Sequence, residues 1–514
     1  MSETLLERIF AAWQVLPAGQ SVLSDADNSF TAGALRQEVE HLAQRLQQHQ
    51  TRVMALLADN GTAWVCADLA ALHAGIVQLP LPGFFSDDQL RHALHNSAAD
   101  VVLTDQTARI TGLNLGFAEV DQWHGLSLLQ RVIASPTSST PALLPPGTAK
   151  ISYTSGSSGQ PKGVCLSAAG LLDTAEAVCA ALADVAITRH LAVLPLALLL
   201  ENVAGVYAPL LRGAEVVLPK LADLGWRGMG GFDPQQLMRQ IDAVQPCSLI
   251  LVPELLKAWT LALRLSKQRA PANLQFVAVG GARCDPGLID AARAVGVPVY
   301  EGYGMTECGS VISLNRPGAD RPGSVGQPLQ HVQVDIDADQ EIHIKSHAFL
   351  GYLGITTDQP AGNNTEFAVF ASGDLGHRDG NGFLHLAGRR SNLIITAYGR
   401  NIAPEWVEAA LLAQPEIAQA IVTGEARPWL AALLVPQRWA DADASADLAA
   451  AVARANATLP DYAHIGDWLT CAPFTPGNGL ATGNGRPVRA AILRQHADAL
   501  ASLYTSKESA HVVL

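Results

Sequence analysis

The densest chemistry in the sequence is the run Tyr153-Thr-Ser-Gly-Ser-Ser-Gly-Gln-Pro-Lys-Gly163. Glycines 156, 159 and 163 permit a backbone whose N–H groups converge on an anion, and the hydroxyls of Thr154, Ser155, Ser157 and Ser158 add donors. Lys162 brings a full positive charge, so the loop suits a triphosphate tail. It is not a Walker loop: Gly156 and Gly159 stand too close together, and Gly163 follows the lysine. The same composition also describes a flexible Ser/Gly linker.

Other segments carry compatible chemistry. Tyr303-Gly-Met-Thr-Glu307 places a ring, a hydroxyl and a carboxylate close together. Thr306 and Glu307 are hard oxygen donors, suited to a phosphate oxygen and to Mg²⁺ respectively. Gly280-Gly281-Ala282 follows a strand-like run at the place where a doubly wound sheet opens to ligand. In Ser372-Gly-Asp374 the carboxylate can accept two hydrogen bonds from a diol, or serve as an ordinary turn residue.

Taken in order, these segments resemble those of the acyl-adenylate-forming superfamily, which includes acyl-CoA synthetases, peptide-synthetase adenylation domains and firefly luciferase. The resemblance spans nearly the whole chain. It makes Thr154–Lys162 the phosphate loop, with Ser155, Gly156, Ser157, Ser158 and Gly159 inside it. Tyr303 and Gly304 become the adenine segment, Thr306 and Glu307 the phosphate and magnesium groups, and Asp374 the ribose acceptor. Gly280, Gly281 and Ala282 are expected against the adenine and the acyl group. Arg389 is expected to reach the ribose or the phosphates, with Ser391 at the pivot. Gly399, in Tyr398-Gly-Arg-Asn-Ile-Ala-Pro-Glu405, resembles the glycine loop that lines a pantetheine path.

The implied fold is α/β: a large N-terminal domain of layered α/β subdomains, residues 1–388, and a small mobile α+β domain, residues 389–514. The implied activity uses ATP and Mg²⁺ to convert a carboxylic acid into an acyl-adenylate, then passes the acyl group to the thiol of coenzyme A. Loading of a carrier-protein phosphopantetheine is an alternative, and an ester or β-lactone product is another outcome of the same adenylate.

Two departures from the family pattern bear on function. Many relatives carry a His or aromatic residue near position 198, where this chain has Leu196-Ala-Leu198. An apolar mouth favours a medium- or long-chain fatty acid over an amino acid, and the run Leu199–Gly205 resembles the fatty-acyl branch. Relatives also end with a catalytic Lys, whereas this chain reads Thr482-Gly-Asn-Gly-Arg486-Pro-Val-Arg489. Arg486 keeps the charge but exchanges a compact ammonium for a planar fork. That loss opens a reading of another class, a non-catalytic nucleotide-binding homologue.

Positioning these groups requires a large framework. Short β-branched runs (Arg52–Leu57, Ile76–Leu79, Val101–Thr104, Leu191–Pro195, Glu215–Leu218, Ser248–Val252, Phe276–Val279, Val297–Tyr300) alternate with helix-length stretches such as Ala63–Ala74 and Leu221–Val244. That alternation predicts parallel strands with crossover helices. Gln340–Ser346 reads as a half-exposed strand of a more antiparallel region, and Ser135–Gly147 as an exposed connection. Pro404 followed by Glu405 predicts a helix start.

At 514 residues, 49% hydrophobic, the chain can bury several cores, which excludes disorder. A net charge of −13 argues against nucleic acid and anionic membrane surfaces as partners. The greasiest stretch, Leu191–Leu200, contains Pro195 and falls far short of the ~20 residues a bilayer requires. The seven cysteines form no CxxC pair, and Glu3 and Glu7 stand where a secretory signal would be basic. The expectation is a cytoplasmic protein with reduced thiols and no transmembrane segment.

Overall fold

The computed structural model describes residues 5–17, 19–132, 144–154, 162–227, 231–354, 368–437, 444–483 and 485–508. Two large sheets form the N-terminal body. One has eight strands, with a parallel centre of Val53–Leu57, Val77–Pro80, Val101–Thr104 and the start of Thr148–Thr154, flanked by antiparallel strands. The other has nine, with Ser21–Ser24, Glu215–Val217, Arg189–Leu191, Ser248–Leu251, Phe276–Val279 and Val299–Met305 running parallel.

Side-chain alternation explains the layering. Along Val53–Leu57, Met54 and Leu56 face a core shared with the second sheet, whereas Val53, Ala55 and Leu57 face outward into a separate core. Along Phe276–Val279, Phe276 joins the shared core while Val277 and Val279 pack under the outer helices Pro234–Val244, Pro253–Ser266 and Pro286–Ala294. Helices Ala32–Gln48, Thr62–Ala74 and Ala168–Ala181 fill the middle layer.

A four-stranded antiparallel sheet (Gln333–Ile336, Glu341–Ser346, Ala368–Arg378, Leu384–Arg389) leads to the C-terminal unit. That unit packs helices on both faces of a three-stranded sheet, Ile417–Thr423, Leu430–Pro436 and Ile465–Thr470. Helix Pro404–Leu412 begins at the predicted proline.

Three sequence expectations need correction. Leu221–Val244 is not one helix: among its described residues the α-helix is Pro234–Val244, capped by Asp233, because Gly225 turns at φ +98° with no room for a Cβ beside the Asp233 carbonyl. The strand expected at Leu191–Pro195 covers Arg189–Leu191. Side chains claim the backbone beyond it: Leu194 N–H donates to Glu201, and Asn60 bonds both Leu194 O and Leu196 N–H. The strand expected at Val297–Tyr300 instead runs Val299–Met305 and carries Tyr303 within it. Most of the connection expected at Ser135–Gly147 lies outside the described residues.

A buried charge cluster joins the layers. Lys150 Nζ, with no exposed surface, donates to Asp68 Oδ1 at 2.8 Å, to Tyr207 Oη at 2.9 Å and to Asn202 Oδ1. Asp68 Oδ2 also accepts from Asn202 Nδ2 at 2.8 Å and Tyr207 Oη at 2.5 Å. Lys150 comes from the eight-stranded sheet, Asp68 from helix Thr62–Ala74, and Asn202 and Tyr207 from the π-helix Glu201–Tyr207. Removing one member strands a charge, so Asp68→Ala should lower unfolding free energy by about 3–5 kcal/mol in urea titrations. A loss below about 1 kcal/mol would show that the cluster contributes no net stabilisation.

Candidate active site

Between the two N-terminal sheets and the C-terminal unit lies an open cleft of about 2290 Å³. Its floor is built by loops at the carboxyl ends of the nine-stranded sheet's parallel strands, where backbone groups are free to meet a ligand. Gly280, Gly281 and Ala282 follow strand Phe276–Val279 and line it. Tyr303, Gly304, Thr306 and Glu307 line it from strand Val299–Met305 and the 3₁₀ turn after it.

The glycines here have packing reasons of their own. A Cβ on Gly304 would fall 1.8 Å from the Ser310 carbonyl across the antiparallel pair, and one on Gly280 would lie 3.2 Å from Gly302 O. Backbone proximity therefore demands small residues at the cleft wall, whatever binds there.

Asp374 and Arg389 are direct partners across one antiparallel hairpin. Arg389 Nε lies 2.8 Å from Asp374 Oδ1, and Tyr303 Oη donates to Asp374 Oδ2 at 2.6 Å. Asp374 is 7% exposed. Burial raises its pKa, opposed by the Arg389 charge and the Tyr303 hydroxyl. Tyr303 is thus held by its hydroxyl with its ring on the cleft, and the carboxylate still has lone pairs for a diol.

Glu307 is 9% exposed and accepts from Tyr352 Oη at 3.0 Å through Oε1; Lys162 Nζ stands 5.6 Å from the Tyr352 ring centroid. Lys162 pairs across strands with Thr154, so the two ends of the Ser/Gly loop meet at the cleft. Ser155, Gly156, Ser157, Ser158 and Gly159 lie outside the described residues.

Arg486 arrives from the C-terminal unit and donates to Gly281 O. The residue as a whole is exposed, yet burial of its charged group lowers its pKa, opposed by Glu254 and reinforced by Arg389. The loop that carries it seats closely: a Cβ on Gly483 would lie 2.7 Å from Phe84 O in the N-terminal body.

Gly399 is not brought to the cleft. It sits at φ +70° in a turn closed by Gly399 N–H to Thr396 O at 2.9 Å, with Tyr398 75% exposed beside it. Ala397 N–H to Arg427 O fastens that turn to the C-terminal unit.

Sequence reasoning missed Glu301. It is 5% exposed, lines the cleft, and accepts from Cys284 N–H at 3.2 Å. Burial pushes its pKa up to about 7. Its position two residues before Tyr303, in a strand, was the available signal.

Residues 10–355 match the AMP-binding enzyme model, and residues 391–508 the AMP-binding enzyme C-terminal domain model. The chain belongs to the AMP-binding enzyme family. It is 26% identical over 417 residues to 2-succinylbenzoate–CoA ligase of Bacillus subtilis, covering 78% of this chain and 82% of that one. It is 25% identical over 520 residues to long-chain-fatty-acid–CoA ligase FadD15 of Mycobacterium bovis, covering 86% of each. The solved structure of O-succinylbenzoate coenzyme A synthetase from Bacillus subtilis with ATP and magnesium ion superposes with a TM-score of 0.70 at 23% identity, over 94% of this chain and 98% of that one. Among the described residues no helix is long and apolar enough to cross a membrane.

Two measurements follow. Asp374→Ala should weaken ATP binding by about 1.5–3 kcal/mol in calorimetric titration; unchanged affinity would make Asp374 a turn residue only. Glu301 titrates higher folded than unfolded, so the fold is relieved of its charge at low pH and bears the burden increasingly as pH rises toward 7. Glu301→Gln should therefore raise the unfolding free energy in urea titrations at pH 8 by on the order of 2–4 kcal/mol, a gain that shrinks toward pH 5. Equal gains at both pH values would rule out titration as the cause.

Proposed function

We propose that this protein is an AMP-forming ligase that activates an apolar carboxylic acid as its acyl-adenylate and transfers the acyl group to coenzyme A. The observation that carries the reading is the convergence of Tyr303, Asp374, Arg389 and Glu307 with Arg486 of the C-terminal unit on one cleft. The similarity to acid–CoA ligases supports the reaction class.

In the first step a carboxylate oxygen bonds to the α-phosphorus of ATP, the bond to the bridging oxygen breaks, and pyrophosphate leaves. Both reactants are anions, so the protein's task is charge neutralisation and in-line positioning. Asp374 accepts from the ribose hydroxyls, and the Tyr303 ring carries the adenine. Lys162, Thr306 and Arg389 surround the phosphates, and Arg486 stands for the family lysine between carboxylate and phosphate. Glu307 suits Mg²⁺, since it is a hard oxygen donor with one oxygen uncommitted among the described contacts. The metal bound with ATP supplies further charge neutralisation, and the ATP–magnesium complex of the Bacillus subtilis structure supports the pairing. In the second step the thiol sulfur bonds to the acyl carbon and AMP leaves. The exposed Gly399 turn fits that stage, after the C-terminal unit has turned about Ser391.

The wall near the acyl position is apolar. Leu198, Leu200 and Ala204 line the cleft, which continues past Val178, Leu182 and Ala208 of the helical middle layer. That depth supports a medium- or long-chain fatty acid, whereas the aryl acid in the Bacillus name is the competing class. Pyrophosphate release across a panel of fatty and aryl acids decides between them. ATP affinity without release for any acid would instead mark a non-catalytic homologue. Carrier-protein phosphopantetheine presents the same thiol and is tested by offering it in place of coenzyme A.

Arg486→Ala should slow adenylate formation by roughly 10²–10³-fold, the scale of losing one charge-stabilising donor in a transition state. Thioester formation from synthetic acyl-adenylate should stay near the wild-type rate. Arg486→Lys restores the family group, and faster adenylation would mean that arginine limits the first step. Wild-type adenylation by the alanine variant would make Arg486 a surface residue.

A further inference from the structure

Lys257 lies on helix Pro253–Ser266, in the outer layer of the nine-stranded sheet, and the reaction above gives it no role. Its Nζ donates to three backbone carbonyls of the C-terminal unit: Leu412 at 2.6 Å, Gln414 at 2.6 Å and Ile417 at 2.8 Å. An ammonium has three protons, so each is committed across the boundary between the two units.

The acceptors explain the strength of the contact. Leu412 is the last residue of helix Pro404–Leu412, and Gln414 and Ile417 lead from it into strand Ile417–Thr423. A helix C-terminus presents unpaired carbonyls and about half a negative charge. Such groups are commonly met by the chain's own residues or by water. Here the cation comes from the other unit. Burial lowers the pKa of Lys257 to about 8, opposed by the negative charge of Glu416, itself paired with Arg454, and of Glu254. The N-terminal body also receives Arg486, at Gly281 O in the loop after strand Phe276–Val279.

We propose that Lys257 is a positioning residue, a latch that holds the C-terminal unit where Arg486 meets Gly281 and that must open before the thiol step. The inference rests on the two-step reading above. Turning the C-terminal unit breaks all three hydrogen bonds together, yet releases the ammonium and the carbonyls to water, which replaces them. The latch therefore biases the orientation without locking it.

The test compares full-length wild type, Lys257→Met and Lys257→Arg. Methionine keeps an unbranched stem and loses every donor; arginine keeps the charge and can still bond carbonyls. With Mg·ATP and dodecanoate, Lys257→Met should slow single-turnover pyrophosphate release about tenfold, the scale of losing charge-assisted hydrogen bonds. Thioester formation from synthetic dodecanoyl-adenylate and coenzyme A should hold or accelerate, and Lys257→Arg should recover much of the first step. Small-angle scattering of the ligand-free proteins should show a broader distribution of unit orientations for Lys257→Met than for wild type. Equal loss in both half-reactions, or identical scattering, overturns the latch. Should wild type release no pyrophosphate with any acid, the ligase reading fails, and the scattering comparison still decides whether Lys257 holds the units together.

Discussion

The buried contact between Lys150 and Asp68 sets the geometry on which the cleft depends. Three elements meet there, and each contributes a group that the others satisfy: the sheet its ammonium, the middle helix its carboxylate, the π-helix an amide and a phenol. Buried charges tolerate little displacement, because a shifted partner leaves desolvated charge unpaired. The π-helix is therefore fixed in register, and its first residue, Glu201, can reach back to His190 and the Leu194 N–H. Asn60 takes the next backbone groups. The loop containing Leu198 owes its course to this chain of polar contacts.

The C-terminal unit meets the rest through another kind of contact. Arg486 and Lys257 are both cations on opposite sides of the boundary, and both donate to main-chain carbonyls. Such acceptors do not depend on which side chains surround them, and they accept water as readily. Gly483 allows the approach by lacking a Cβ. These particular contacts, made from cations, carbonyls and a bare backbone, would strand no apolar group on opening, unlike the close packing of Gly388 against Ala403.

Much of this was legible from residue types alone. Val101–Thr104 and Phe276–Val279 appear as strands with the bounds that their β-branched content indicates, and the segments at Gly280, Tyr303, Glu307, Asp374 and Arg389 do share a cleft. What pattern could not supply was long-range claims on the backbone. Leu191–Pro195 has strand composition, but Glu201 and Asn60 take the hydrogen bonds that a ladder would need. Residues 221–227 have helical content, yet the chain turns at Gly225 against the Asp233 carbonyl. Asp68, alone in the apolar helix Thr62–Ala74, was a visible sign of a buried charge, but its partner, Lys150, is 82 residues away in sequence. Lys257 offers no such sign, because its acceptors are main-chain atoms, which carry no sequence signature.

The pairing of Asp374 with Arg389 has a consequence for how this chain tolerates changes in length. Both belong to one antiparallel hairpin whose turn is closed by Asp379, with N–H groups of Asn381 and Phe383 bonded to its side chain. Alternate residues of a strand face opposite sides, so one residue inserted between Asp374 and Arg378 would turn the carboxylate away from Tyr303 and from the arginine together. An insertion at the Gly380–Gly382 tip would lengthen only an exposed loop. Between Asp374 and Arg389, indels are thus sorted sharply into neutral and disabling, and the dividing line is the last ladder pair, Arg378 with Leu384.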